Sequence, residues 1–131
     1  MRRISSMGAV ILEEHKVFRE SLAYLLSRDP DIAMVAQAST LEEGRAIVLK
    51  DAAHVDVVVT EMLWANGDAI RFLGDLGELR ESDAEVRVLV LTRLRDSALH
   101  DLALEMGAAQ VLTKDASVEQ IITSIKNLGG S

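Results

Sequence analysis

Two kinds of segment alternate along the chain. Short runs rich in Val, Ile and Leu lie at Ala9–Leu12, Ile32–Ala38, Val55–Thr60, Val86–Thr92 and Ala109–Leu112. The third and fourth are almost unbroken in apolar character, the pattern of strands covered on both faces of a parallel sheet. Between the runs the spacing turns helical. Val17, Leu22, Leu25 and Leu26 give an apolar face over roughly His15–Ser27, stopped by Asp29-Pro30-Asp31. Thr40-Leu41-Glu42-Glu43 has the composition of a capping box and opens a helix to about Lys50. Asp68–Arg80 is a third helical stretch, weakened by Gly74 and Gly77, each costing about 1 kcal/mol relative to alanine. Asp96–Met106 is a fourth, closed by Gly107 at a left-handed position. Ser117-Val118-Glu119-Gln120 is a second capping box, with Ile121, Ile122, Ile125 and Leu128 as the apolar stripe behind it.

Five strand–helix units in alternation predict an α/β fold: one doubly wound, five-stranded parallel sheet with helices on both faces and right-handed crossovers. One domain over residues 8–128 is expected, with 1–7 as a disordered N-terminus and 129–131 as a linker or tag remnant. Ligands of such sheets bind beyond the carboxyl ends of the strands, at the switch point. Glu13, Glu14, Glu61, Thr92 and Lys114 all fall there.

Composition removes whole classes of function. The absence of cysteine excludes disulfide scaffolds, thiolate metal sites and thiol catalysis. Lys and Arg number 14 against 21 Asp and Glu, a net charge of −7, which disfavours direct nucleic-acid binding. The apolar runs are too short to cross a bilayer, and the basic start Met1-Arg2-Arg3 lacks the apolar stretch of a signal peptide. A cytoplasmic protein without membrane contact is the expectation. Glu13-Glu14-His15-Lys16 holds no glycine that would let backbone amides cradle a nucleotide phosphate.

Val10-Ile11-Leu12-Glu13-Glu14-His15 resembles the first strand and acidic pair of bacterial response-regulator receivers, where two aspartates are usual. Asp56-Val57-Val58-Val59-Thr60-Glu61 is similar to the third strand, which in that family ends at the phosphoaccepting aspartate. Val88-Leu89-Val90-Leu91-Thr92 matches the fourth strand with its hydroxyl residue, and the stretch from Gly107 to Ser117 matches the fifth strand, the site lysine (Lys114) and the next helix start. The likeness spans Gly8 to Leu128. Lys114-Asp115-Ala116-Ser117, with His15, Arg19 and Leu22, resembles the receivers that precede a LuxR-type helix-turn-helix domain. The resemblance implies a flavodoxin-like sheet of order 2-1-3-4-5 and a place in two-component signal transduction. As partners it implies a second copy, as a homodimer, and a DNA-binding effector domain or partner protein. Dimers of this kind use the outer faces of the first and last helices, where Arg19, Glu20, Glu119 and Lys126 are the outward candidates.

The departures set the expected function. In the family, Mg²⁺ is held by the acidic pair, the phosphoacceptor and a backbone carbonyl two residues on. Here Glu61 occupies the phosphoacceptor-equivalent position and Glu13 and Glu14 the acidic pair. Magnesium demands octahedral geometry at roughly 2.0–2.1 Å, which three longer side chains satisfy poorly. No cofactor is expected; a metal, if bound, would take Glu14, Glu61 and the Leu63 carbonyl. The switch position, an aromatic three residues before the lysine, is Val111, which has no ring to rotate. The expected function is therefore an atypical, phosphorylation-independent receiver, not an enzyme, acting as a regulatory and dimerisation module in transcription control. The alternatives are a working phosphoacceptor at Glu61 and a small-molecule-sensing receiver. Glu61 is expected near Thr92 and Lys114, with Arg93 or Arg95 replacing the missing cation. Trp64, the sole tryptophan, is read as a lid over the crevice or an exposed contact.

Overall fold

The computed structural model describes residues 6–64, 67–68 and 86–129. Seven strands and four helices are seen among them: β1 Met7–Leu12, α1 Lys16–Ser27, β2 Ile32–Ala38, α2 Leu41–Asp51, β3 Val57–Thr60, β4 Leu63–Trp64, β5 Gly67–Asp68, β6 Arg87–Thr92, α3 Ser97–Glu105, β7 Gln110–Thr113 and α4 Val118–Gly129. Five strands form one parallel sheet in the order β2-β1-β3-β6-β7. With the two-stranded β4–β5 hairpin set aside, that is the predicted 2-1-3-4-5 arrangement.

Strand alternation splits the core into two layers. Val10, Leu12, Val58, Val88 and Val90 face α2 and α3, where Val48 and Ala103 meet them. Ala9, Ile11, Val57, Val59, Leu89 and Leu91 face α1 and α4, against Leu22, Leu26, Ile121 and Ile125. Because β3 is buried at every position and β6 at all but its first, their side chains reach both layers, hence their unbroken apolar character.

The helix ends follow the local chemistry. Thr40 accepts the Glu43 amide at 3.1 Å and caps α2. Ser117 and Gln120 cap α4 reciprocally: Ser117 Oγ accepts the Gln120 amide at 3.1 Å, and Gln120 Oε1 accepts the Ser117 amide at 2.9 Å. Asp96 caps α3 through the Ala98 amide, and Gly107 leaves that helix at φ 118, a region L side chains avoid. Gly8 answers a different need: a Cβ there would lie 1.8 Å from the His54 carbonyl oxygen.

Several sequence expectations are corrected. β1 starts at Met7, paired with Ile32, and α4 runs through Gly129, so ordered structure exceeds 8–128 at both ends. β3 begins at Val57 because Ala52–His54 forms a 3-10 turn first. Val17 is 80% exposed and Leu25 is also exposed; the inward stripe of α1 is Phe18, Leu22 and Leu26, with Ala23. Asp68 belongs to the short strand β5 rather than to a helix start, and the rest of the predicted 68–80 helix lies outside the described residues. Lys126 does not point outward alone, since it bridges Asp29 at 3.0 Å and Asp31 at 3.2 Å.

Candidate functional site

Strand direction brings the site together. β1, β3 and β7 finish at Leu12, Thr60 and Thr113, and the next residues are Glu13, Glu61 and Lys114. Backbone pairing continues one residue past each strand: the Glu13 amide donates to Ala38, the Glu61 amide to Leu12 and the Lys114 amide to Thr92, at 3.0, 3.3 and 2.8 Å. The three side chains therefore emerge at one level above the sheet.

They meet. Lys114 Nζ lies 2.6 Å from Glu13 Oε1 and 3.1 Å from Glu61 Oε1. Both carboxylates are buried, at 2% and 6% residue exposure. The second oxygen of Glu13 accepts the His15 amide and faces His15 Nδ1, both at 2.9 Å. Burial opposes ionisation of Glu13, but the Lys114 ammonium, the His15 amide and the His15 ring outweigh it and hold the carboxyl below the usual glutamate range. Glu61 Oε2 accepts the Met62 amide at 2.5 Å and the Leu63 amide at 3.3 Å, and its Oε1 accepts the Arg93 amide at 3.4 Å. Three backbone N–H groups and one ammonium thus surround a single carboxylate, a strong anion-holding arrangement.

Two residues of α1 complete the enclosure. Arg19 donates from its guanidinium to the Glu13 carbonyl at 2.8 Å, so it faces the crevice rather than outward as expected. The Phe18 ring lies over Lys114 Nζ, 4.8 Å from ring centre to nitrogen. Neither was singled out for this place, because position along a helix does not reveal which turn overhangs a strand end.

Other expected residues are placed differently. Thr92 is fully buried, and its hydroxyl accepts the Leu94 amide at 3.2 Å. Glu14 is half-buried in the β1–α1 connection, and Val111 is half-buried against the α2–α3 layer. Leu63 is exposed at the rim. Arg95 pairs with Asp115 on the surface and Arg93 contributes its backbone N–H, while the cation between the carboxylates is Lys114. In the β6–α3 connection the His100 ring meets the Leu94 carbonyl at 2.6 Å. Trp64 is neither lid nor exposed contact: it is 6% exposed, packs in the α2–α3 layer, and donates from its indole N–H to the Glu61 carbonyl at 2.8 Å.

The carboxylates of Glu13 and Glu61 converge on Lys114. Among the described residues no three acidic or histidine side chains are grouped to hold a metal ion. No helix among them is long and apolar enough to cross a membrane.

Comparison with known proteins agrees with the topology. The family model for the Response regulator receiver domain matches residues 9–126. The chain is 30% identical over 120 residues to the DNA-binding transcriptional activator DevR/DosR of Mycobacterium tuberculosis, covering 91% of this chain and 52% of that protein. It is 27% identical over 116 residues to the nitrate/nitrite response regulator protein NarL of Escherichia coli K12, covering 88% and 51%. It therefore spans about half the length of these curated relatives. In fold it resembles the signal receiver domain of the response regulator NarL from Mycobacterium tuberculosis, with a TM-score of 0.85 at 20% identity over 97% of this chain and 98% of that one. Strand order, family match and relatives lead to one assignment: the chain belongs to the response regulator receiver domains, the regulatory modules of two-component signalling.

Proposed function

We propose that this domain is a receiver that works without phosphorylation, with Glu61 standing where the family's aspartate accepts phosphate. The observation that carries the reading is the occupancy of the Glu61 carboxylate. Its two oxygens already engage Lys114 Nζ and the amides of Met62, Leu63 and Arg93. In-line transfer needs a free, positioned nucleophile and charge neutralisation of the incoming group. Here the nucleophile is bonded on both oxygens and the neutralising ammonium is shared with Glu13. The same contacts make Glu61 a built-in anion with about one charge where a phosphate brings about −1.5 to −2, so the crevice is held in one state.

The output in this reading is transcription control. A domain of this kind acts on a DNA-binding effector, in the same chain or a partner protein, with self-association as its means. The net charge of −7 leaves DNA contact to that effector. The exposed apolar residues of α1, Val17 and Tyr24, favour the outer face of that helix for self-association.

Incubation with acetyl phosphate, or with beryllofluoride, in the presence of Mg²⁺ tests the proposal. Intact mass and Trp64 fluorescence are read, since the indole is bonded to the Glu61 carbonyl and reports on that backbone. Neither is expected to change. A Mg²⁺-dependent mass gain on Glu61 establishes a working phosphoacceptor instead.

A further inference from the structure

We propose that Phe18 is a positioning residue, and that the face of its ring keeps the Lys114 ammonium inside the crevice between Glu13 and Glu61. This rests on the reading of Glu61 and Lys114 as a permanent lock. A lysine has a long flexible stem and gains by carrying its charge out to water. Two carboxylates hold Lys114 from one side, at 2.6 and 3.1 Å. The Phe18 ring covers it from another, with its centre 4.8 Å from Nζ, inside the roughly 6 Å reach of a cation–π contact. The negative face of the ring replaces part of the hydration that the ammonium gives up.

The ring is held where it is by the site itself. The first turn of α1 is tied to Glu13 by the His15 amide and by the Arg19 guanidinium, and the helix is anchored below by Leu22 and Leu26. Glu13, Phe18, Glu61 and Lys114 thus form one unit drawn from β1, α1, β3 and β7.

A bland alternative exists, because Phe18 also packs on the α1–α4 layer and any apolar side chain would fill that space. The test separates ring electrostatics from volume. Acylation of Lys114 by a water-soluble activated acetyl ester is followed by peptide mass spectrometry, with exposed Lys50 in the same molecule as the reference. Four proteins are compared: the natural chain, Phe18→Leu, Phe18→Tyr and a chain carrying pentafluorophenylalanine at position 18. The leucine keeps apolar packing without a ring, the tyrosine keeps the ring face, and the fluorinated ring keeps the shape but reverses the sign of its face. Phe18→Leu and the fluorinated chain are expected to raise the Lys114 rate relative to Lys50 by about three- to tenfold, the range a partly desolvated cation–π contact carries. Phe18→Tyr is expected to stay within about twofold of the natural chain. A fluorinated ring that protects as well as phenyl, or a leucine variant at the natural rate, overturns the role of Phe18. Lys114 reacting as fast as Lys50 in the natural chain refutes the lock itself, and is recognised without any variant.

Discussion

Replacing Lys114 by methionine keeps an unbranched stem and removes one charge. What remains is Glu13 and Glu61, whose nearest oxygens lie 2.6 and 3.1 Å from the position of the lost ammonium. Both carboxylates are buried, so water cannot replace the missing cation without opening the crevice. Removing one partner of a buried ion pair costs about 3–5 kcal/mol. In a domain of this size each kcal/mol lowers the midpoint by roughly 3–5 °C, so Lys114→Met is expected to melt about 10–20 °C below the natural protein. Urea unfolding followed by Trp64 fluorescence gives the free energy directly. The cycle with Glu61→Gln isolates the pair, with an expected coupling of about 1–3 kcal/mol.

The pH dependence gives an independent check because its sign reverses. In the natural protein burial opposes the charge on Glu13, but Lys114 and His15 prevail and lower its folded value. The unfolded chain then binds the proton more readily, so this stabilisation is complete above the ordinary glutamate value of about 4.3 and is lost as pH falls through the lower folded value. In Lys114→Met the two buried carboxylates repel each other, and one relieves the strain by taking a proton. The variant is expected to gain stability on acidification already above the ordinary glutamate value of about 4.3, where the contribution of Glu13 in the natural protein is flat. A loss under about 1 kcal/mol at pH 7, or a variant whose stability does not rise on acidification, would falsify the account of Lys114 as the shared counter-ion.

Two further outcomes follow from local geometry. Gly107→Ala forces an L side chain into φ 118 at the end of α3, and a loss of more than about 1 kcal/mol is expected in urea unfolding. Trp64→Phe removes the indole donor to the Glu61 carbonyl, but Thr60 Oγ1 still donates to that oxygen at 3.0 Å, so a loss of only about 1–2 kcal/mol by circular dichroism is expected.

The fold was legible because each central strand is apolar on both faces and each gap carries a helical stripe or a capping box. The error on α1 was one of phase. Phe18, Leu22 and Leu26 are spaced by four and share a face, whereas Val17 is five residues from Leu22 and falls well off that stripe at 100° per residue; it is exposed. The β4–β5 hairpin was invisible because two-residue strands show no period, and with it went the burial of Trp64. At the site, strand ends announced Glu13, Glu61 and Lys114, but not which cation would serve. Arg93 and Arg95 are as near in sequence as a strand-end residue can be. Only the surface pairing of Arg95 with Asp115 removes Arg95 from contention. Similarly, nothing in the pattern of α1 marks Phe18 and Arg19 as overhanging the end of β1.

Charge balance explains how two buried carboxylates coexist on one lysine. The ammonium offsets one of the two negative charges, and burying the other unaided would be prohibitive. The remainder is met by the amides of Met62, Leu63 and Arg93 on Glu61, and by the amide and ring of His15 on Glu13. An aspartate at position 61 would withdraw its oxygens by about one carbon–carbon bond, roughly 1.5 Å, away from the Arg93 amide, which already lies 3.4 Å from Glu61. The extra methylene of glutamate lets one side chain reach the amides of its own loop, the Arg93 amide beyond β6 and the ammonium beyond β7 at once. Lys114 and these amides together supply the compensation that lets Glu13 and Glu61 stay buried side by side.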